Sequence, residues 1–343
     1  MIHLFETGFR FLFMEGIHTS SIREVAKLAG VSPATVSRVI NGTAKVDSEK
    51  QDRVQKAIAD TGFIPNEVAR SLYKKSARLL GLIIPSLQSP FFTQLSAEIG
   101  AAAKAAGYHA FLLATGRDPE QVKNGLQLMA SMNVDGVVLT ICSEEIENFL
   151  KNYRLPVAAL DCMDTARNVT ASIYCDYYNG GRMAMEHLIQ CGCRKVICIK
   201  GDQSIFSARM RYEGYRDVCR EQGIPEHSLL CDYYFHSGLQ MTQKLLQLYP
   251  DADGILACND LVAVSTYKVL HKYNIQVPQQ IQLIGFDDIN LTELMSPELT
   301  TIHQPIPHMA ELAVSSLIHP DRLKENTVVL PVSLKIRETT RLV

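Results

Sequence analysis

From Leu79 onward, polar and aromatic residues recur just after short apolar runs. Phe91 and Phe92 follow LLGLIIP, Asp161 follows VAAL, and Arg209 and Arg211 lie beyond KVICIK. Asn259 and Asp260 follow GILAC, Asp287 and Asp288 follow LIGF, and Gln304 follows LTTIH. Carboxylates, amides and an arginine together both donate and accept hydrogen bonds, which suits a neutral polyol, and phenyl rings can stack on the apolar face of a sugar or base. Any single residue has a plainer alternative, since an aspartate at a strand end often caps the next helix. Asp260, ahead of LVAVSTYKVL, fits that role as well as it fits a ligand. Asp287 in GFDD and Arg211 in RYEGY carry the most weight.

The elements that must position these groups follow from periodicity. Near-continuous apolar runs alternate with helical stretches at 93–106, 119–132, 177–189, 210–222 and 261–273, which predicts parallel sheets covered on both faces. The run restarts after Tyr177, so two α/β lobes are expected, each a doubly wound sheet. The first lobe is expected at about 79–175 and 305–318, the second at about 176–304 and 319–343. Ligands of such sheets bind outside the carboxyl ends of the strands, where the polar residues fall.

Residues 20–63 read differently. Ser21 can cap a helix whose apolar positions, Ile22, Val25, Ala26 and Ala29, share one face, and Gly30 can end it. Ser32 and Pro33 start a second helix that runs to Asn41-Gly42, with Val36, Val39 and Ile40 inward and Pro33, Ala34, Ser37, Arg38 and Asn41 outward. A third helix opens at Asp47 or Ser48, with Ser48 and Gln51 spaced as a capping box. This is the pattern of a helix-turn-helix: small outward residues let the second helix sink into a major groove, and Arg38 can pair bidentately with guanine. On spacing alone, an ordinary three-helix unit remains the alternative.

Bulk properties agree with a small head on a larger body. The 343 residues are 47% hydrophobic and 20% charged, which excludes a disordered chain. The net charge of −2 divides into +3 for residues 1–76 and −5 for the rest, as expected if the head alone meets a polyanion. Nine cysteines without a C-x-x-C pair predict reduced core thiols and no zinc site. No apolar run reaches membrane-spanning length, and residues 1–19 lack the features of a signal peptide. Residues 1–19 are expected to be an extension without function: either Met14 is the start, which leaves residues 1–13 untranslated, or the segment is a poorly ordered tail.

VAKLAGVSPATVSRVING followed by GFIPNEVARSL resembles the head and hinge of the lactose/galactose-repressor family of bacterial transcription regulators, and later motifs extend the resemblance from Ser21 to Arg341. It implies a DNA-binding head at 20–63, a hinge helix and linker at 64–78, and a periplasmic-binding-protein-like body at 79–343 that binds an effector and dimerises. Ala34 and Arg38 would read operator bases. Ser32, Pro33, Thr35, Ser37 and Asn41 would lie against the DNA, with Thr35, Ser37 and Asn41 touching phosphate. In the hinge, Ala69 and Arg70 precede Leu72, which would wedge into the central minor groove of double-stranded operator DNA; a linker helix with a core leucine is the alternative.

The motifs around Ser89-Pro90-Phe91-Phe92, Arg211, Asn259-Asp260, Asp287 and Gln304 are similar to those of the ribose-repressor branch and of ribose-type periplasmic binding proteins. Ser89 stands where those proteins usually have asparagine, and Cys162 where they usually have arginine, so a pentose or hexose is implied without its identity. A carbon-catabolite regulator using a phosphorylated carrier protein, or a sugar-transport binding protein, are the rival readings. No phosphate-loop, H-E-x-x-H or G-x-S-x-G motif is present, so neither an enzyme nor a cofactor or metal is expected. A homodimer is expected, and no C-terminal leucine heptad suggests a tetramer.

Overall fold

A computed structural model describes residues 20–42, 45–63, 76–162, 168–322 and 325–341. The chain divides into two units, residues 1–77 and 78–343.

In the first unit, α1 (Ile22–Ala29) is closed by a reciprocal capping box between Ser21 and Glu24 and ends at Gly30, whose φ of 65° is the left-handed conformation glycine adopts without strain. Helix α2 (Pro33–Asn41) starts on the Ser32 cap with proline in its first turn. Helix α3 (Ser48–Thr61) departs from the expected Ser48–Gln51 box: Asp47 is the cap, and its carboxylate accepts from the Glu49 and Lys50 amides. A carboxylate at this position also favours the positive end of the helix dipole. Val25, Ala26, Ala29, Val36, Val54 and Ala57 form the core.

The second unit contains two six-stranded sheets. The first is built from β1 (Leu79–Ile84), β2 (His109–Ala114), β3 (Gly136–Leu139), β4 (Val157–Leu160), β5 (Ala171–Cys175) and β11 (Thr327–Leu330), in the order β11-β5-β4-β3-β1-β2. The second is built from β6 (Val196–Lys200), β7 (Ser228–Leu230), β8 (Gly254–Ala257), β9 (Gln282–Asp287), β10 (Thr300–His303) and β12 (Ser333–Lys335), in the order β12-β10-β9-β8-β6-β7. Strand pairs are parallel apart from β10–β12. The covering helices are α4 (Pro90–Ala105), α5 (Pro119–Ser131), α6 (Glu144–Leu150), α7 (Tyr177–Gln190), α8 (Phe206–Gln222), α9 (Phe235–Leu248), α10 (Asp260–Lys272) and α11 (Ile306–Ile318).

The chain passes between the sheets after β5, after β10 and again between β11 and β12. Assigning all of 319–343 to the second lobe is therefore corrected: β11 pairs with β5 in the first sheet. The short strand β7 and helices α6 and α9 were not anticipated. α7 and α8 pack with touching backbones, because a Cβ on Gly181 would fall 2.0 Å from the Arg211 carbonyl oxygen and one on Gly214 2.1 Å from that of Tyr178. Only glycine allows this approach, which fixes where Arg211 points.

The thiol expectation is also corrected. Cys142, just beyond β3, and Cys162, just beyond β4, are joined as a disulfide, while the other seven cysteines are free and buried. Adjacent strand ends on one sheet bring together residues whose sequence separation of 20 gave no pairing signal.

Candidate functional site

The outer face of α2 presents Ser32, Pro33, Ala34 and Arg38 to solvent. Ala34 and Arg38, four residues apart, occupy one face. Ser32 is occupied as the cap, accepting from the Thr35 amide at 3.2 Å, with its hydroxyl 2.9 Å from that of Thr35. Asn41 donates to the Ser37 carbonyl at 2.9 Å. Thr35, Ser37 and Asn41 are thus half-buried and engaged locally. Ala69, Arg70 and Leu72 lie outside the described residues.

In the body, a cavity of about 170 Å³ opens at the carboxyl ends of both sheets. Ser89, Phe91, Phe92 and Asp161 line it from the first lobe, and Arg211, Asn259 and Asp287 from the second. Ser89 occupies the cap position of α4 without making a capping hydrogen bond, so its hydroxyl is not spent on the helix. The Phe91 and Phe92 rings meet edge to face at 5.3 Å. Asn259 caps α10 through its Oδ1, which accepts from the Val262 amide at 2.9 Å.

Arg211 and Asp287 form the floor. The guanidinium lies 3.2 Å from the Asp287 carboxylate, donates to the Cys258 carbonyl at 2.8 Å and sits 3.8 Å from the centre of the Phe286 ring. Gln304 donates to Asp287 at 2.7 Å from behind. Burial pushes the Asp287 carboxyl upward, and the neighbouring guanidinium opposes that shift. Asp161 stands alone on the other wall, with backbone φ of 63°, and its carboxylate accepts from the Ser207 hydroxyl across the cleft at 2.8 Å. Burial raises its pKa too, against the pull of Arg211.

Three expected residues fall outside the cavity lining, Gln304 among them, behind Asp287. Asp260 is completely buried behind the cleft, where it accepts from Thr301 at 2.6 Å and the Ile289 amide at 2.9 Å. It braces the second lobe, and Gly285 lacks a side chain where a Cβ would come within 2.2 Å of it. Arg209 lines an adjoining pocket, with its guanidinium 6.0 Å from the centre of the Phe206 ring. Two residues from Arg211 on a helix, it projects to a different side.

Several cleft residues escaped sequence reasoning: Arg117, Asp202, Ser207, Asp232 and the pair Tyr233-Tyr234. The tyrosines follow β7, so recognising SLL as a strand would have marked them. Buried Asp161 Oδ1, Arg211 Nε, Tyr233 Oη and Gln304 Oε1 have no hydrogen-bond partner. Such atoms are costly to bury unpaired, and the first three belong to residues lining one cavity. Among the described residues, no cluster of His, Cys, Asp or Glu could hold a metal ion, and no helix is long and apolar enough to cross a membrane.

A helix-turn-helix head followed by a two-lobed body with a polar, aromatic-walled cleft defines a ligand-responsive DNA-binding regulator. Residues 21–66 match the lacI family of bacterial regulatory proteins, and residues 77–337 match the periplasmic binding proteins and sugar-binding domain of that family. The chain belongs to the LacI family. It is 34% identical to the ribose operon repressor of Halalkalibacterium halodurans, over 94% of this chain and 97% of that protein. The Lac repressor dimer bound to operator and the anti-inducer ONPF superposes with a TM-score of 0.84 at 26% identity, covering 93% of this chain and 98% of that one. A periplasmic binding protein/LacI regulator from Alkaliphilus metalliredigens complexed with D-xylulofuranose superposes at 0.69 with 31% identity, over 77% of this chain and 100% of that one.

Proposed function

We propose that this protein is a homodimeric, cytoplasmic transcriptional repressor whose affinity for operator DNA is set by a small neutral sugar bound between the lobes. The observation that carries the sugar is the set of unpaired buried atoms on the cleft wall: Asp161 Oδ1 accepts, Arg211 Nε donates, and Tyr233 Oη does either. Adjacent hydroxyls of a pentose or hexose satisfy such a mixture, and Phe91 and Phe92 supply the stacking face. Charge argues against a phosphorylated ligand. The carboxylates of Asp161, Asp202, Asp232 and Asp287 outnumber the guanidiniums of Arg117 and Arg211, and Arg211 is already paired. The ribose operon repressor and the xylulofuranose complex among its relatives point to the same ligand class.

In the head, Ala34 and Arg38 are the base-reading positions, and Ser32, Pro33, Thr35, Ser37 and Asn41 settle the helix against the backbone. Ala69, Arg70 and Leu72 would engage the minor groove at the operator centre. The half-buried apolar residues of β2, at the edge of the first sheet, offer a surface for the second copy.

A thermal-shift screen against neutral pentoses and hexoses, their phosphates and nucleobases tests the ligand class. A ligand at 100 times its Kd stabilises the folded chain by about 2.7 kcal/mol. A neutral sugar alone should shift the melting point; a shift only with phosphates or nucleobases, or none with any small molecule, would reject the reading.

A further inference from the structure

We propose that Cys142 and Cys162 form a thiol–disulfide exchange site at the rim of the cleft, through which a small thiol adjusts the affinity for the sugar. This inference rests on the reading of the cleft as a sugar site, and adds a covalent input to it.

Three observations converge on this pair. It is the disulfide among otherwise free, buried cysteines, and burial pushes the thiols of Cys175, Cys193 and Cys231 up to about 12, far from the reactive range. Cys142 is the point of attack: it is half-buried whereas Cys162 is only 2% exposed, and both line an open pocket of about 290 Å³ beside the cleft. Arg117 and Arg209 line the same pocket beside Glu144, Glu147 and Asp161, so guanidiniums that can pair with a departing thiolate are present without making the pocket cationic.

The connection to the ligand site is one peptide bond long. Asp161 precedes Cys162, lines both the cleft and the exchange pocket, and reaches across to Ser207 at 2.8 Å. Its backbone φ of 63° is unfavourable for a residue with a Cβ, and such a conformation persists only where its surroundings hold it. The Asp161 amide donates to the Ile173 carbonyl at 3.0 Å, and the Ser172 hydroxyl donates to the Cys162 carbonyl. The disulfide adds a third restraint by tying the end of β4 to that of β3. Removing it leaves Asp161 less preorganised for the sugar, and lost preorganisation weakens binding.

The exchange balances as follows. A small thiolate attacks Sγ of Cys142, the S–S bond breaks, and Cys162 leaves as a thiolate that takes up a proton. A second small thiolate attacks the outer sulfur of the mixed disulfide and releases Cys142, which is protonated in turn. The protein gains two electrons and two protons, and two small thiols become one small disulfide. In a reducing compartment, a cysteine pair of this kind cycles rather than serving as a permanent staple.

The test equilibrates the full chain across ratios of reduced to oxidised glutathione, traps thiols with iodoacetamide and maps them by mass spectrometry. The same samples are titrated with D-ribose and D-xylulose. Cys142 and Cys162 should change state together while the seven core cysteines do not. The oxidised chain should bind sugar at least about fivefold more tightly, at the lower end of ordinary coupling between sites, and saturating sugar should make the pair harder to reduce by the same factor. Cys142→Ser should show the weaker affinity at every ratio.

A pair that stays reduced throughout, or equal affinity in both states, would overturn the proposal. If neither sugar binds in either state, the ligand reading fails instead. Hydrogen exchange of the peptide containing Asp161 then still decides the local claim: protection should fall on reduction, and unchanged protection refutes it.

Discussion

Arg211 and Asp287 meet on the cleft floor as a 3.2 Å ion pair with side chains only 9% and 6% exposed. Each neutralises the other in a place where neither charge could stand alone. Truncating Asp287 to alanine leaves the guanidinium uncompensated, so we expect a loss of about 3–5 kcal/mol of stability in urea unfolding. Asp287→Asn, which keeps the shape, should fold better and still lose the sugar-induced thermal shift. Retention of that shift in Asp287→Asn would remove the pair from the binding site.

Asp161 has a hydroxyl, that of Ser207, where Asp287 has a guanidinium at close range. Burial raises its pKa above the ordinary 3.8, so the folded chain binds its proton more tightly than the unfolded chain does. The native state therefore holds more protons just above pH 3.8, and stability from this group falls as the pH climbs through the raised value. Asp161→Asn should consequently melt at a higher temperature than the parent near neutral pH. The gap should shrink toward pH 3.8 and below, and the sugar response should be lost. A gap of constant size from acid to neutral pH would show that charge is not the cause.

Tyr233 carries a buried hydroxyl with no partner, and Gly201 leaves room for it, since a Cβ there would come within 2.6 Å of Tyr233 Oη. Tyr233→Phe should leave the stability of the sugar-free protein unchanged or slightly higher. Its sugar affinity should fall by about 0.5–1.5 kcal/mol, the value of one neutral hydrogen bond, in isothermal titration. Lower stability without sugar would mean that the hydroxyl already has an internal role.

Arg38 projects from the exposed side of α2, four residues from Ala34. Arg38→Ala should weaken operator binding by about 1–3 kcal/mol and relax specificity at one base position, measured by selection from a randomised operator pool. A uniform loss across sequences would make Arg38 a phosphate contact instead.

What the sequence disclosed depended on how local the signal was. Helix α2 was legible because Ser32, Pro33 and Gly42 punctuate it, and the strand ends were legible because apolar runs stop abruptly at Asp161, Asn259 and Asp287. Choices between neighbours were not. Asn259, rather than Asp260, caps α10, and Asp260 turns inward to Thr301, a decision made by a strand forty residues later in the chain. Helical spacing puts Arg209 and Arg211 on different sides of α8, but which of the two enters the cleft was decided by the close packing at Gly181 and Gly214. Strand β7 has three residues, too few for periodicity, so Tyr233 behind it was missed. The pairing of Cys142 with Cys162 depends on β3 and β4 being neighbours in the sheet, a property of topology alone.

The central claim is that one chain couples a sugar in the cleft to DNA on the head. The most direct measurement is operator affinity by fluorescence anisotropy with and without the stabilising sugar, alongside sugar affinity with and without operator. Sugar and operator should shift each other's affinity in the same direction and by the same factor. Operator affinity that is identical with and without saturating sugar would contradict it.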